Sequence, residues 1–530
     1  MKVRPFLAVL LAVGLILLSL GVGGWWLLAR RSPLALQRQP LAPPALARFV
    51  PRQAPLALYW QGDAERPVAY ARAVASPRRR RQAADTIAAL RDGAFAAAGL
   101  DYHDELAGWL GSELALAITD PPAGGDPAGW LLALRSRDGE GARRFLQRFW
   151  QTRSLAGVDL QVSRYRGMGL ISGRGALLGQ DPQPLATALI NDDLVLIASG
   201  RTVLERALDV SQIDELHQGS LPGLQRSLAQ AGEGVALLVA RPDGLGPLLG
   251  LPLPPQAQQG PDLLVAALRP QGRGLRLDGR LEGGAPPLSL APLRAEALLA
   301  QLADGPVGLA LLQDAAAQLA DPLAAPWVRG ILARAGADRP LPLTVASAAT
   351  GPLLLAAGPQ AWLLATPATD PDPATLEPAL AAEGLSQAPL MVDGSPLQVW
   401  SRLGTRAARG GRPASLEVEL AAARSTSAGV AWWSADLAGI DRQAHPHRGA
   451  LQRRRLSQLQ ALAWPEAPLQ WALDRQPAAA LMAGWQPWRL LSGLAAAPLA
   501  DSVSGLALAA GPDADGWRLQ GLLQLEGADG

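Results

Sequence analysis

The sequence predicts an α+β fold, in which a single N-terminal transmembrane helix precedes two related α+β lobes with largely antiparallel sheets. Three observations support this prediction. A long apolar segment without charges lies near the N-terminus, and short β-type patterns alternate with amphipathic helical patterns along the rest of the chain. Several local patterns also recur in the same order in the two halves of the chain.

Composition limits what the chain can be. With 530 residues it exceeds one ordinary domain, and its 49% hydrophobic and 18% charged residues suit packed cores rather than disorder. A formal net charge of +2 lacks the basic excess of nucleic-acid binders, so we expect no nucleic-acid partner. The absence of cysteine excludes disulfides, cysteine-ligated zinc and thiol catalysis.

Residues 6–29 form the predicted membrane anchor. They contain no charged residue, and about 24 residues at 1.5 Å each span the roughly 30 Å hydrocarbon core of a bilayer. Trp25 and Trp26 suit the membrane interface, and Arg30 and Arg31 end the segment. The alternative is a cleaved signal peptide, although its apolar core would be shorter and the residues before Arg30 form a poor cleavage site.

Basic residues on both sides of this segment leave its orientation open. Lys2 and Arg4 favour a cytoplasmic N-terminus, whereas Arg30, Arg31 and Arg38 give the other flank a comparable positive charge. We expect a single-pass membrane protein whose water-soluble body lies outside the cytoplasm.

Composition and repeated patterns divide the chain. We predict an anchor at residues 1–31, a Pro-rich linker at 32–44 that lifts the body off the bilayer, a first lobe at 45–284 and a second lobe at 285–530. Strands are predicted in the first lobe at residues 56–60, 114–119, 130–135, 159–165, 194–198, 235–240, 263–268 and 275–281.

Local signals predict two helices and one turn. Asp138 is a candidate N-cap, because apolar residues recur after it at helical spacing. Residues 167–173 are interpreted as a hairpin turn. In the second lobe, Thr375 as cap would place Pro378 in the tolerated first turn of a helix.

An internal repeat underlies the division into two lobes. Four short stretches match in the same order, at offsets of roughly 230 to 250 residues. The matches pair Pro55 with Pro306, Trp130 with Trp362, Leu160 with Leu397, and Gly274 with Gly516. We interpret the second lobe as a degenerate tandem copy of the first.

A resemblance to a known family rests on motifs in the first lobe. These motifs are Phe49-Val-Pro-Arg-Gln-Ala-Pro-Leu-Ala-Leu, Trp109-Leu-Gly-Ser-Glu-Leu-Ala-Leu-Ala-Ile-Thr-Asp, Gly129-Trp-Leu-Leu-Ala-Leu, Phe149-Trp150-Gln151 and Ala156-Gly-Val-Asp-Leu. The chain resembles the mostly cyanobacterial, membrane-anchored proteins of the family of unknown function DUF3352. The resemblance implies a single anchor, a soluble body and a cyanobacterial cell, where the outer face of the membrane is periplasm or thylakoid lumen. It supplies no activity and no functional residues.

We identify no catalytic, cofactor-binding or metal-binding residues. His445 and His447 flank Pro446 without an evident third ligand, so an exposed turn is the favoured interpretation. The stretch Tyr102-His103-Asp104-Glu105 places a histidine beside carboxylates, but no nucleophile elbow accompanies it.

Two arginine clusters are the candidate contact sites for membrane lipid or a protein partner. They are Arg78, Arg79, Arg80 and Arg81, and Arg453, Arg454 and Arg455. Arginines close to an anionic bilayer are attracted to its headgroups. The alternative is a solvated helix face, because Ala84, Ile87 and Leu90 continue at helical spacing after the first cluster.

Clustered tryptophans in the second lobe are open to two interpretations. They either fill the core or form a binding surface. The cluster comprises Trp432, Trp433, Trp464, Trp471, Trp485 and Trp488.

These observations together predict a non-enzymatic, membrane-tethered binding or scaffold protein that recognises a partner at its surface or in a cleft between its lobes. Two alternatives stay open: a membrane-anchored hydrolase-type enzyme with a dispersed site, and a carrier of lipid or another apolar ligand. A pocket with converging His, Asp and Ser side chains would favour the enzyme, and an apolar tunnel would favour the carrier.

Overall fold

The computed structural model describes residues 32–119, 129–154, 160–175, 183–246, 248–250, 261–283, 288–303, 307–337, 339–357, 362–392, 395–406, 415–444, 450–496, 498–514 and 516–525. The predicted anchor at residues 6–29 and the pair His445 and His447 lie outside the described residues. In the part of the chain that is described, no helix has the length and apolar character needed to cross a membrane.

Of the strands in the described ranges, ten precede residue 283 and ten follow residue 307. The first ten are Leu56–Gln61 (β1), Leu110–Thr119 (β2), Gly129–Ser136 (β3), Gln161–Tyr165 (β4), Met168–Gly175 (β5), Gln183–Ile190 (β6), Leu194–Ala198 (β7), Ala236–Ala240 (β8), Leu263–Gln271 (β9) and Gly274–Glu282 (β10). The others are Gly308–Gln313 (β11), Pro352–Ala357 (β12), Trp362–Pro367 (β13), Ser386–Val392 (β14), Ser395–Arg406 (β15), Ser415–Ser427 (β16), Val430–Ser434 (β17), Leu469–Asp474 (β18), Val503–Asp513 (β19) and Gly516–Leu525 (β20).

Helices cover both faces of the sheet. In the first half they are Arg66–Val74 (α1), Arg80–Ala97 (α2), Gly139–Ser154 (α3), Arg201–Val210 (α4), Pro222–Ala231 (α5) and Pro242–Leu245 (α6). In the second half they are Glu296–Gln301 (α7), Ala315–Ala320 (α8), Ala324–Arg334 (α9), Pro340–Ala348 (α10), Pro373–Ala382 (α11), Leu437–Ala444 (α12), Ala450–Gln460 (α13), Arg475–Gly484 (α14) and Gln486–Leu494 (α15).

All twenty described strands belong to one sheet, and every pairing in it is antiparallel. The strand order is β4-β5-β6-β7-β3-β2-β1-β8-β9-β10-β20-β19-β18-β11-β12-β13-β17-β16-β15-β14. We call β1–β10 the first half and β11–β20 the second half. Each strand of the second half occupies the place that the strand numbered ten lower occupies in the first half.

The two halves meet where β10 pairs with β20. Gly274 lies opposite Gln524 and Glu282 lies opposite Gly516, so Asp278 and Gln520 form the central pair of nine. Since Asp278 and Gln520 are each the fifth residue of their paired segment, the pairing is symmetric about them. The halves are therefore related at this junction by an approximate twofold axis through the central pair.

Apolar clusters lie on both faces of the sheet, and the largest one crosses the junction. It brings Leu245, Leu264 and Leu281 of the first half together with Leu319 and Trp517 of the second. Separate clusters cover the remaining faces of each half. The halves thus share a core as well as a sheet.

The predicted fold class is confirmed as mixed α+β with a large antiparallel sheet. All eight predicted strands of the first half overlap observed strands, and the apolar run at residues 194–198 coincides with β7. The prediction missed β5 and β6. The hairpin turn consists only of Arg166 and Gly167, both with positive φ, and the next residues form β5.

Residues 32–44 do not form a linker that lifts the body away. Pro33–Arg38 is a 3₁₀ helix whose Leu36 is 1% exposed, packed beside Tyr70 and Val74 of α1. Further on, the Gln61 side chain accepts a hydrogen bond from the Ala42 backbone N–H at 3.0 Å. Burial of Leu36 stabilises this docked position.

Two further details of the sequence interpretation are wrong. Leu160 adjoins β4 whereas Leu397 lies on β15, and the strand that corresponds to β4 in position is β14. Helix α11 starts at Pro373 rather than after Thr375, because the Asp372 carboxylate accepts a hydrogen bond from the Ala374 N–H at 3.0 Å and Pro373 tolerates the first position. Pro378 consequently lies inside this helix.

Helix α15 of the second half packs against α2 of the first half so closely that Gly93 has no room for a side chain. A Cβ at Gly93 would lie 1.8 Å from the Leu494 carbonyl oxygen, whereas nothing lies within 4 Å of a Cβ at Gly493. We therefore expect Gly93→Ala to lower stability by about 1–3 kcal/mol through overpacking. Gly493→Ala should raise stability by up to about 1 kcal/mol, because alanine favours the helix.

Urea denaturation midpoints of the two variants measure this difference. Equal shifts of the two midpoints in the same direction would contradict the close packing of α15 on α2.

Candidate membrane-contact surface and polar junction

The arginine run, Arg78–Arg81, lies on the surface at the start of α2. All four residues are exposed, whereas Ala84 one turn later is buried at 1% exposure. The Arg81 side chain is 95% exposed, and its Nε lies 3.9 Å from the Asp85 carboxylate. Such an exposed pair contributes little to stability, so the Arg81 charge stays available at the surface.

The 3₁₀ helix Pro33–Arg38, near the start of the described residues, lies close to this arginine run. Gln37 Nε2 donates to the Tyr70 hydroxyl at 2.7 Å, and that hydroxyl donates to the Gly272 carbonyl at 2.6 Å. These bonds hold Pro33–Arg38 on α1, which ends at Val74. Four residues span at most about 14 Å, so Arg78 lies close to this docked segment.

An open depression of about 520 Å³ lies between α2 and the end of α15. Arg78, Arg81, Gln82 and Thr86 line it with hydrogen-bond donors, and Asp85 is the acidic residue of the lining. Ala495 of the second half completes it. Two guanidinium groups against one carboxylate leave this surface net positive.

The second predicted cluster divides between surface and core. Arg453 and Arg454 are exposed, but Arg455 is fully buried and its Nη2 lies 2.7 Å from the Asp474 carboxylate. Arg455 is therefore corrected to a core residue and does not belong to a contact surface. The sequence contains the signal, because Leu459 follows Arg455 at i+4 on the apolar face of α13, and Leu462 at i+7 lies buried just beyond the end of the helix.

The sequence analysis missed a buried charged network, which we call the polar junction: Arg276, Asp278, Arg280, Glu282 and Gln520. Arg276 binds Asp278 through two hydrogen bonds of 2.8 and 3.1 Å and is 7% exposed. It also donates to the carbonyls of Ala461 and Leu462 beyond the end of α13, at 3.1 and 3.0 Å. A cation at this position suits the negative end of a helix dipole.

Other contacts of the polar junction cross between the halves. Gln520 Nε2 donates to Asp278 Oδ1 at 3.0 Å, and Arg280 Nη2 lies 3.0 Å from the Asp513 carboxylate. Within the first half, Glu282 pairs with Arg226 of α5 at 2.8 Å. Matched charges with several hydrogen bonds fit a buried structural network. Its sequence signal is the polar face of β10, because Arg276, Asp278, Arg280 and Glu282 occupy alternate positions of this strand.

The histidine–carboxylate stretch forms structural contacts. Glu105 pairs with Arg153 at 3.2 Å with both side chains mostly buried, and His103 Nε2 lies 3.6 Å from the Asp92 carboxylate. Burial raises the pKa of the Tyr102 hydroxyl to about 12, and the Glu65 carboxylate adds to the shift. The Tyr102 phenol is therefore protonated at neutral pH and is unsuited to act as a base.

Metal-ligating side chains do not gather anywhere in the described ranges: no group of three or more His, Cys, Asp or Glu residues could hold an ion there. Asp436, a carboxylate near the predicted histidine pair, caps α12 through the Ala438 N–H at 3.1 Å.

The tryptophans of the second half fill the core rather than form an exposed surface. Trp432 and Trp433 are at most 1% exposed, and Trp471 is 8% exposed. Trp433 stacks on Trp400 with ring centroids 5.3 Å apart. Trp464, Trp485 and Trp488 are half-buried.

These features define a class: a mixed α+β protein built on one continuous antiparallel sheet, with a charged network at its centre and an arginine-rich surface. A family model described as "Protein of unknown function (DUF3352)" matches residues 9–525. The chain belongs to this family, as the motifs of the first half predicted. No curated protein matches the chain.

Solved structures add no further argument. Crystal form I of TP0453 matches with a TM-score of 0.28 and 12% identity, over 47% of this chain and 81% of that one. Crystal form III of TP0453 matches with a TM-score of 0.27 and 10% identity, over 46% and 81% of the two chains. At these TM-scores the likeness supports no inference about this chain.

Arg453 and Arg455, two residues apart on α13, should differ sharply in their contribution to stability. Arg455→Met leaves the Asp474 carboxylate without its buried partner, and loss of one partner of such a pair costs about 3–5 kcal/mol. Arg453→Met removes an exposed charge and should change stability by less than about 0.5 kcal/mol.

Chemical denaturation of the two variants distinguishes these expectations. If Arg455→Met is tolerated as well as Arg453→Met, Arg455 does not occupy the core.

Proposed function

We propose that the protein is a membrane-tethered, non-enzymatic binding or scaffold protein whose two halves arose by tandem duplication. The identical strand order of the halves and the symmetric β10–β20 pairing support the duplication. Trp130 and Trp362 support it independently. Trp130 precedes Leu131, which lies opposite Ala198, the last residue of β7. Trp362 precedes Leu363, which lies opposite Ser434, the last residue of β17, and β17 is the equivalent of β7.

The shared sheet supports a rigid scaffold rather than two lobes that close on a ligand. Nine residue pairs join β10 to β20, and the largest apolar cluster continues across them. Opening a cleft there would expose that cluster and break the polar junction, and each of these changes carries a large free-energy cost. Recognition of a protein partner would then use the outer surfaces of the body.

The observation that carries the tether is the docking of Pro33–Arg38 on α1. Only Arg30 and Arg31 separate Ser32 from Ala29, the last residue of the charge-free segment, so the body would begin within about 10 Å of the membrane. A helix at residues 6–29 would hold the body against the bilayer, on the periplasmic or lumenal side in a cyanobacterium.

Membrane fractionation of the full chain tests the tether. The wild-type chain is expected in the membrane pellet after alkaline carbonate extraction. An alkaline phosphatase fused to its C-terminus should be active, as expected for a body that lies outside the cytoplasm. Leu15→Arg/Leu18→Arg should move the chain to the supernatant, since each central arginine costs about 2.5–3.5 kcal/mol in insertion. The matched variant Leu15→Val/Leu18→Val should stay in the pellet. A wild-type chain recovered in the supernatant, or shortened by its first segment, would refute the tether.

A further inference from the structure

The surface formed by the N-terminus of α2 and by the end of α15 is open and positively charged. Arg78, Arg80 and Arg81 are exposed, and Arg78 and Arg81 line the depression that Ala495 completes at the end of α15. Exposed arginines close to an anionic bilayer are attracted to its headgroups.

We infer that this surface docks on anionic phospholipid headgroups and so sets the orientation of the body on the bilayer. The inference rests on the proposed tether, and it identifies the chemical class of the contact. The docked segment Pro33–Arg38 lies beside α1, whose last residue precedes Arg78 by four positions. A tethered body would therefore present this surface to the membrane, in preference to its other faces.

Acidic neighbours do not cancel the charge of the surface. Asp85 lies beside Arg81, but the other carboxylates of this region are engaged elsewhere. Glu65 and Asp92 both bind Arg91, at 2.7 and 2.8 Å, and Asp92 also faces His103. Arg78, Arg80 and Arg81 outnumber the one carboxylate beside them and keep a positive field, which extends about 8 Å at physiological ionic strength.

Because the proposed tether already holds the body at the membrane, a weak contact between the arginines and the headgroups is sufficient to orient it. A transmembrane helix already provides effectively irreversible attachment, so the arginines only have to favour one orientation over others. Three arginines near an anionic surface would shift that orientational equilibrium on the order of a hundredfold. The contact should weaken at high salt, because the screening length falls to about 3 Å at 1 M.

Lipid nanodiscs carrying the full chain test the inference. Since the chain has no cysteine, Gln82→Cys accepts a single fluorophore beside the arginine run. A quencher on the lipid headgroup reports how closely the fluorophore approaches the bilayer. We expect strong quenching in an equal mixture of phosphatidylglycerol and phosphatidylcholine, and weak quenching in phosphatidylcholine alone or at high salt.

Two variants separate the arginine run from general effects of charge. Arg78→Gln/Arg80→Gln/Arg81→Gln should reduce the quenching in the phosphatidylglycerol mixture to the phosphatidylcholine level. The matched control Arg329→Gln/Arg334→Gln/Arg339→Gln removes three exposed arginines from the second half and should leave the quenching unchanged. If both variants melt at the same temperature as the wild type, they are correctly folded.

Equal quenching in the two lipids, or no effect of the α2 variant in a chain that is inserted in the nanodisc, would overturn the inference. An acidic protein partner for the arginine run would give this second result, and the proposed tether would survive it. A wild-type chain that fails to enter the nanodisc would instead overturn the tether, and the headgroup contact would fall with it.

Discussion

Antiparallel pairing between β10 and β20 is the interaction on which the rest of the structure depends. If the halves were apart, each of these strands would be a sheet edge with a row of unpaired N–H and C=O groups. Paired, they lie in the interior of a twenty-strand sheet, and the largest apolar cluster continues from one half into the other. The polar junction is buried around this pairing, so its charges must be matched where they lie. The close contact between α2 and α15 also joins the two halves.

Symmetry at the junction explains why its central pair is Asp278 and Gln520. In an isologous pairing of two identical strands, the residue on the axis faces its own copy. Two copies of β10 would therefore place one carboxylate opposite another, which is repulsive. With glutamine in the second half, an amide donates to the Asp278 carboxylate at 3.0 Å instead. Under the proposed duplication, joining two copies in one chain allowed the residue on the axis to differ between them.

Much of the local structure was predictable, because it depends on local patterns. The apolar run at residues 194–198 coincides with β7, and Asp138 accepts a hydrogen bond from the Glu140 N–H near the start of α3. Strands β5 and β6 escaped prediction since glycines such as Gly169 and Gly173 read as turn signals and Pro184 reads as a breaker.

The parts that were not predictable depend on distant contacts. Pairing of β10 with β20 joins residues more than two hundred positions apart, and no local pattern indicates that strands similar in sequence also lie side by side. The strand at residues 275–281 was predicted correctly and corresponds to β10, but whether its polar face meets water or other parts of the protein depends on tertiary structure. Arg455 was the exception: its place on the apolar face of α13 could have been recognised from the helical period.

Amide hydrogen exchange of the full chain tests the central claim most directly, since it compares strands within one molecule. Amides of β10 and β20 should be as protected as those of β9 and β19, and much more protected than those of the outer strands β4 and β14. If β10 and β20 exchange as fast as β4 and β14, they are edges of two separate sheets, and the account of one continuous body is wrong.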